Sequence, residues 1–582
     1  MKRLILAAAS LTFAATCTAG SAVEWWTVPA MSAVPRFADT YPSDGEPGGT
    51  LRVVAARGEF ESASFVVRAD GDIAKFQVTA GDLLSKEGGV IPAANLDPYV
   101  IKVWYQNGNA WWNYFTDVGL RLCPELLLHD ETLIKVDEKE RANYVRVDYR
   151  TGSKYRWVSP PREIDPGFKT AVEPVADAAT LQPVVLEKGK FKQFWINVKV
   201  PLETKPGLYK GKVELRGGCG QWSIPVALRV LPFALPDPKT YYDLNSDFYA
   251  MLYVCGTGSI GTFMKRNGGD RRNAEKKLWE RLKSQAEHGY RDALYLGYKP
   301  GAAGEEQTAA GLALAKKAGM RTDPLFEAFS CSQRYTAADD SVPEAIYDVR
   351  YNAKKAGDFM LKTLGHKNLW PAGGEEPSIR RIVQFRDVWK EAHKAGFKVM
   401  CNGQDRRTVG GWNDDLRVHG GTTSAEHARF CHNVKGKIGN YAGPHNGPEN
   451  PEFMRRRHGM SLYKKDFDMT YNYDWCEGDW NDLRYSYRIT AVYETREGFI
   501  STMQWEGMRE GIDDIRYSTL LLQLAEEAYK AGPAQTEKFY AGRKAMRHVA
   551  LFDGEAGDLD AYRMETVNHI LKLMKLLGKE AL

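Results

Sequence analysis

Polar and apolar positions follow two rhythms along this chain. From residue 23 to about 236, apolar and polar residues alternate over short stretches, as in "TLRVVAARGEFESASFVVRA", "KFKQFWINVKVP" and "GLYKGKVELRG". Period-two alternation in β-branched runs, broken by glycine turns, predicts half-buried strands rather than helices. Pro206-Gly207 in "ETKPGLYKG" provides a tight turn between two of them. Repeated short strands with no strong helical period predict an antiparallel β-sandwich over residues 23–236. "LPFALPDP", residues 231–238, then reads as a proline-stiffened linker.

After about residue 241, short apolar runs alternate with amphipathic stretches. The runs are "YYDLNSDFYAML", "DALYLGY", "RTDPLFEAF", "NLWPAGGEEP", "FKVMCNG", "KIGNYAG", "DMTYNYDW" and "FISTMQW". Helices are predicted near 273–288, 306–318, 349–363, 379–395 and 451–465, and over "EGMREGIDDIRYSTLLLQLAEEAYK". The section between "FKVMCNG" and "KIGNYAG" is polar and has no clear period. Ile379, Ile382, Phe385, Trp389 and Ala392 step by three or four, as one buried helical stripe requires. Roughly eight β–α units over about 280 residues predict a (β/α)₈ barrel. The expected fold class is therefore multidomain β plus α/β. A β-sandwich (23–236) precedes a (β/α)₈ TIM-type barrel (237–532), and a helical tail (533–582) packs on its outside. An open doubly wound sheet is the competing architecture, but no glycine-rich phosphate loop supports it.

Composition narrows the partners. The 582 residues carry 79 basic and 74 acidic side chains, a net charge of +5 too balanced to point to nucleic acid. The 15 Trp and 29 Tyr suit stacking on sugar faces and, equally, filling large cores. Eight cysteines show no tight metal-ligand spacing, and no cofactor or metal is predicted. "MKRLILAAASLTFAATCTAGSAVEWW" opens with Lys2 and Arg3, continues apolar to Ala15 and reaches a small-residue site near Ala22. This is the pattern of an export signal, residues 1–22, which predicts a secreted or periplasmic protein. Lipoprotein anchoring at Cys17 fits less well, because Thr16 precedes it. No later stretch has the roughly 20 apolar residues that a membrane span needs.

In a (β/α)₈ barrel the chemistry sits where strands pass into the following loops. The strand-end candidates are Asp247, Glu327, Glu375, Glu376, Asn402, Tyr441, His445, Tyr471, Tyr473, Asp474, Trp475 and Trp505. Glu375 and Glu376 are adjacent, between Gly373-Gly374 and Pro377. Neighbouring side chains on a regular strand point to opposite faces, so both reach one cleft only if the backbone departs from regularity there. The glycine pair permits that. Close like charges would raise at least one pKa, placing a protonated acid beside an ionised partner, as glycosidic cleavage requires. The competing explanation is that carboxylates at a helix N-terminus simply complement its dipole.

A second cluster, "TYNYDWCEGDWND", holds Tyr471, Tyr473, Asp474, Trp475, Glu477, Asp479 and Trp480. Rings interleaved with acids make a candidate sugar cradle. Tyr471 and Tyr473 share one strand face while Asn472 and Asp474 share the other, so one pair can equally be core. His419, His427 and His432 match no common metal spacing. Trp111 and Trp112 suit packing against the barrel better than a sugar platform.

"ARGEFESASFVV", "KPGLYKGKVEL" and, most specifically, "FISTMQWEGMREGIDDIRY" resemble the family 123 glycoside hydrolases. The resemblance implies an N-terminal sandwich, a catalytic barrel and exo-acting β-N-acetylgalactosaminidase chemistry. In that chemistry the substrate's 2-acetamido oxygen attacks the anomeric carbon. It also implies Glu376 as acid/base, with Glu375 standing where the family has an Asp that orients the acetamido group. Glu375 is one methylene longer than Asp, and misplacement of about 1 Å can cost roughly a hundredfold in rate. The sequence thus supports an exported exo-glycosidase acting on a terminal β-hexosaminide. Asn402, Tyr441, His445, Tyr471, Tyr473, Asp474, Trp475, Trp480 and Trp505 are its candidate glycan-binding residues. Two alternatives stay open. One is a glycosidase on a non-acetamido sugar, with Glu376 as acid and Asp474, Glu477 or Asp479 as nucleophile or base. The other is a non-catalytic glycan-binding protein.

Overall fold

The computed structural model describes residues 22–580 except 109, 160–167, 219, 255–257, 267, 332–341, 404–414, 443–444, 446–448, 477–479 and 481–489. The signal expected at residues 1–22, with all but its last residue, and both Glu477 and Asp479 lie outside the described residues.

The N-terminal half is built from antiparallel sheets. One has six strands and runs 46–47, 23–28, 60–69, 191–199, 96–106, 121–128. The facing sheet orders 184–186, 73–80, 207–217, 220–234 and 51–57, the last pair parallel. The alternation seen in sequence is the mechanism. Phe65, Val67, Phe194 and Ile196 from one sheet meet Val53, Phe76, Val213 and Leu215 from the other in a single core. Fully burying one such side chain contributes about 1.5–3 kcal/mol, so the packed layer outweighs the loss of strand freedom.

Residues 231–238 are not a free linker. Strand Gly220–Ala234 runs through the first half of this stretch, and Leu231, Phe233 and Leu235 are buried in the barrel-side core. Apolar residues at every second position kept the chain in a strand until Pro236 ended it.

Beyond it, seven parallel strands form a curled sheet. In sheet order they are Tyr249–Leu252, Met469–Asn472, Lys437–Ala442, Leu416–Gly420, Met400–Gly403, Leu369–Glu375 and Leu325–Ser330. The run expected as a second strand, "DALYLGY", forms no regular strand. It lies between the two sheet edges, where Asp292 N donates to Ala250 O (3.3 Å) and Ala293 N to Arg321 O (2.9 Å). Two further expectations change. The polar section contains strand Leu416–Gly420, whose Leu416 and Val418 point into the sheet's concave core while Arg417 and His419 are buried on its outer side. "FISTMQW" adds no parallel strand. Its Phe499–Ile500 pairs antiparallel with Tyr493–Glu494, and Thr502 caps the helix Met503–Lys530.

The predicted helices form at Arg271–Glu287, Ala302–Ala318, Val342–Leu364 and Ile379–Lys394. The helix expected at 451–465 breaks at Gly459 into Pro451–His458 and Met460–Tyr463. A Cβ at Gly459 would stand 2.5 Å from Gly511 O of helix Met503–Lys530, so that close approach admits only glycine. Two tail helices, Thr536–Leu551 and Leu559–Leu577, share a core with helix Met503–Lys530. No helix among the described residues is long and apolar enough to cross a membrane.

The segment "QWEGMREGIDDIRY" joins the two halves through buried polar groups. Gln504 Nε2 donates to Glu125 (2.7 Å), Arg509 to Ser62 Oγ (2.8 Å) and Tyr517 OH to Glu59 (2.7 Å). Arg563 pairs with Glu61 (2.8 Å) and Asp514 (2.7 Å), and Arg455 also pairs with Asp514 (2.7 Å). Arg455, Arg563 and Asp514 thus each have a partner, as burial demands.

Candidate active site

The concave core of the sheet is aromatic: Tyr249, Tyr253, Phe326, Trp370, Tyr441 and Tyr471 meet there. At the C-terminal strand ends this core opens into a cleft, and three carboxylates enter it. Each arrives by a local departure from strand geometry. Strand Leu369–Glu375 pairs Ala372 with Met400 but Gly374 with Cys401, a register shift at Gly373. Gly374 has φ +152° and Glu376 has φ +39°, so the two glutamates no longer alternate. A side chain at Gly373 is excluded, since its Cβ would stand 2.5 Å from Val399 Cγ1 and 2.9 Å from Trp389 Nε1. Strand Leu325–Ser330 also slips between Phe326 and Ser330 against 369–372, with Glu327 at φ +47°. Of eight non-glycine residues with positive φ among the described residues, three (Tyr295, Glu327 and Glu376) sit at this cleft. Such conformations cost roughly 1–3 kcal/mol each and cluster where a site needs a side chain aimed off the regular path.

Neutral donors hold the carboxylates. Tyr253 OH donates to Glu375 (2.8 and 3.0 Å to the two oxygens), and Asn402 Nδ2 donates to the same group (2.7 Å). Tyr441 OH donates to Glu376, whose backbone N–H is fixed on Asn402 O (3.1 Å). Tyr471 OH donates to Glu327 (2.9 Å), and the Tyr471 ring stacks on Tyr253 at 4.4 Å. The glutamate pair is open to solvent at the cleft mouth. Even so, enough protein crowds Glu375 that loss of water is the largest influence on its carboxyl. Together with the Glu376 charge, that loss moves it above the usual range against the pull of Asn402 and Tyr253. Glu327 lies deeper. Burial pushes its carboxyl to about 7, with Glu375 adding and Tyr471 and Tyr295 opposing. His445 is lowered to about 4 by burial, against the attraction of Glu376, and its ring meets Tyr473 at 5.3 Å. The imidazole is therefore neutral at physiological pH.

The candidates divide cleanly by position. Glu375, Glu376, Asn402, Tyr441, His445, Tyr471 and Tyr473 converge on the cleft. Asp474, Trp475, Trp480 and Trp505 do not. Asp474 is fully buried, accepts from Cys476 N–H (3.2 Å) and acts electrostatically on Arg281 of helix Arg271–Glu287. Trp475 packs on Phe499 (4.5 Å), and Trp505 stacks on His288 (4.3 Å) while bonding Ser284. Trp480 fills the sandwich core beside Trp104 and Tyr493, with Nε1 on Glu494 O (2.8 Å). Apolar strand and helix faces claimed these rings for packing. Asp247 lies at the other end of its strand, in an ion pair with Lys239 (2.6 Å). His432 pairs with Asp468 (2.9 Å) on the outside of the sheet, where the His419 and His427 rings lie against each other at 4.6 Å. Trp111 is buried with its backbone N–H on Glu449 (2.8 Å), and Trp112 lies on Phe453 at 6.0 Å, so both pack against the barrel side.

Tyr253 and Tyr295 escaped the reading of the sequence. Tyr253 follows Met251 at strand spacing, and that alternation could have marked it. Glu327 stood among the strand-end acids, but nothing in the sequence reveals the slip that turns it inward. A separate cavity of about 400 Å³ between the sandwich and helix Leu559–Leu577 is walled by Arg455, Glu510, Asp560 and Arg563. Those charges pair with one another, so the carboxylate cleft is the better candidate site.

No family model and no curated protein matches the sequence. Among solved structures, the chain is similar to a family 123 glycoside hydrolase from Clostridium perfringens, described in terms of glycolipid glycan hydrolysis. The identity is 13%, with 91% of this chain and 94% of that one covered, and the TM-score is 0.56. This likeness is one of fold. Weaker matches include a GH10 xylanase with a bacterial Ig-like domain from termite gut (10% identity, 55% and 90% covered, TM-score 0.26). Another is β-glucuronidase 3 of Bacteroides uniformis (10%, 80% and 51%, TM-score 0.30).

Proposed function

We propose that this protein is an exported glycoside hydrolase that removes a terminal β-linked, N-acetylgalactosaminide-like hexosaminide by substrate-assisted acid/base catalysis. The observation that carries the reading is the convergence of two adjacent carboxylates on one cleft, each tethered by a separate tyrosine. The curled sheet, read as a (β/α)₈-type barrel with an irregular second strand, provides the scaffold. The likeness to a family 123 enzyme supports the same choice.

In this reading the 2-acetamido oxygen attacks the anomeric carbon while Glu376 donates its proton to the departing glycosidic oxygen. The C–O bond breaks with its electron pair on the leaving group, and a cyclic oxazolinium forms. Ionised Glu375 accepts the acetamido N–H and stabilises the positive charge as it develops. Glu376, now a carboxylate, takes a proton from water, which opens the ring and restores the acetamido group. Tyr441 holds the acid/base; Tyr253 and Asn402 hold the orienting group. Tyr473 and the neutral His445 line the sugar's path.

A carboxylate nucleophile from the 469–480 segment is less well supported, because Asp474 is fully buried and accepts from Cys476 N–H. The test compares wild type with Glu376→Gln on β-GalNAc and β-GlcNAc glycosides with poor leaving groups, where acid assistance matters most. A loss of about 10²–10⁴-fold is expected. Undiminished turnover, or glycan binding without hydrolysis across both series, would defeat the reading.

A further inference from the structure

Glu327 has no role in the chemistry above, yet the fold goes out of its way to bring it to the cleft. A regular strand would send residue 327 to the same side as Leu325, into the apolar layer beneath the outer helices. The register slip after Phe326 and the left-handed backbone at Glu327 turn the carboxyl inward instead. There it meets Tyr471 from strand Met469–Asn472, Tyr295 from the irregular segment 291–298, and the Glu375 charge from strand Leu369–Glu375. The Tyr253 ring, stacked on Tyr471, links these groups to Glu375. Among the described residues no lysine or arginine pairs with Glu327, and its partners there are two phenols.

We propose that Glu327 is a third working carboxyl of this cleft, a positioning residue that must stay neutral for ionised Glu375 to keep its place. What this neutrality achieves rests on the hydrolase reading: Glu375 must be ionised to accept the acetamido N–H. Two negative charges on one aromatic floor oppose each other: the Glu375 charge helps hold the proton on Glu327, and a Glu327 that loses it repels the Glu375 carboxylate from its place. Burial holds the Glu327 proton to about pH 7, which places the handover inside the working range. Activity then declines on the alkaline side as Glu327 loses its proton.

Glu327→Gln keeps the shape and hydrogen bonds of the protonated acid but cannot ionise. Its alkaline limb of kcat against pH is expected to move up by about one unit or more, with the acid limb in place. Glu327→Ala, which frees Tyr471, is expected to lower kcat at every pH. A second arm needs no turnover. Infrared difference spectra of the full chain, recorded between about pH 5 and 9, follow protonated carboxyls directly. The wild type should lose a carboxyl band near pH 7 that Glu327→Gln lacks, beside the Glu59 band that both lose near pH 8, and Glu375→Gln should move the Glu327 band to lower pH. An alkaline limb left in place by Glu327→Gln overturns the proposal, as do infrared titrations that are the same in wild type and variant. If no glycoside is hydrolysed the functional reading fails alone, and the infrared arm still decides whether the two carboxyls are coupled.

Discussion

Replacing Glu375 by Asp sets the sequence resemblance against the geometry. The family pattern has Asp at this position, so the resemblance alone predicts that Glu375→Asp improves the site. The structure predicts the opposite. The Glu375 carboxylate sits 2.7 Å from Asn402 Nδ2 and 2.8 and 3.0 Å from Tyr253 OH, so its extra length is already matched by its partners. Removing one methylene withdraws the carboxylate by about 1.5 Å, one C–C bond, stretching these contacts to about 4 Å. Hydrogen bonds to a charged acceptor are worth about 1.5–3 kcal/mol each where water cannot replace them. Here water reaches the cleft mouth, so the loss in folding stability should be only about 1 kcal/mol. Turnover suffers more, because a carboxylate misplaced by about 1 Å costs roughly a hundredfold. The assay is steady-state kinetics on 2-acetamido β-glycosides, with the loss expected in kcat rather than KM. A variant as fast as wild type, or faster, would refute the claim that Tyr253 and Asn402 are built around the longer side chain.

Two further outcomes follow from the same contacts. Gly373→Ala forces a Cβ against Val399 and Trp389 Nε1 at 2.5 and 2.9 Å, so it should cost about 1–3 kcal/mol in chemical denaturation and displace both glutamates; an unchanged midpoint with full activity would contradict the bulge as the aiming device. At the junction of the two halves, burial pushes the Glu59 carboxyl up to about 8, with Asp513 adding and Arg563 and Tyr517 opposing. The folded protein therefore keeps a proton that the unfolded chain releases near 4.5, so this contribution to stability is present at low pH and is lost as pH rises towards about 8. Thermal midpoints should fall across that window in wild type and fall less in Glu59→Gln, and identical slopes would count against it.

How far the sequence could be read depended on what each residue's neighbours demanded. The sandwich and most helices were legible because one face of each is apolar at the right period, as with Phe385, Trp389 and Ala392. Strand Leu416–Gly420 was hidden because Arg417 and His419 are polar yet buried on the sheet's outer side, so the alternation that marks a half-exposed strand never appears. "FISTMQW" misled for the opposite reason: its apolar residues serve a short hairpin and a helix cap. The paired glutamates and their glycines stood out as a candidate site because adjacency on a strand is itself anomalous. The tryptophans of 475, 480 and 505 read as sugar platforms and proved to be core, since an aromatic ring carries no mark of which side it serves. Tyr253 and Glu327 required the fold, because tertiary register decides which way they point.

The most specific stretch of resemblance and the candidate chemistry occupy different places, and physics gives a reason to keep both. "QWEGMREGIDDIRY" contributes no group to the cleft; it locks helix Met503–Lys530 to the sandwich through Gln504, Arg509 and Tyr517. The cleft in turn holds three non-glycine residues in left-handed conformations at roughly 1–3 kcal/mol each. Such backbone survives only where the surroundings leave it no alternative. Next to the bulges, Glu376 N–H is fixed on Asn402 O, Cys331 N–H on Ala372 O and Tyr298 N–H on Ala328 O, so each irregular strand end is held by its neighbour. Those neighbours stay put only if the curled sheet is stiff, and the sheet is braced from behind by helices whose ends are tied into the sandwich. The buried ion network is therefore the counterpart of the strained strand ends, which aim three carboxyls at one point.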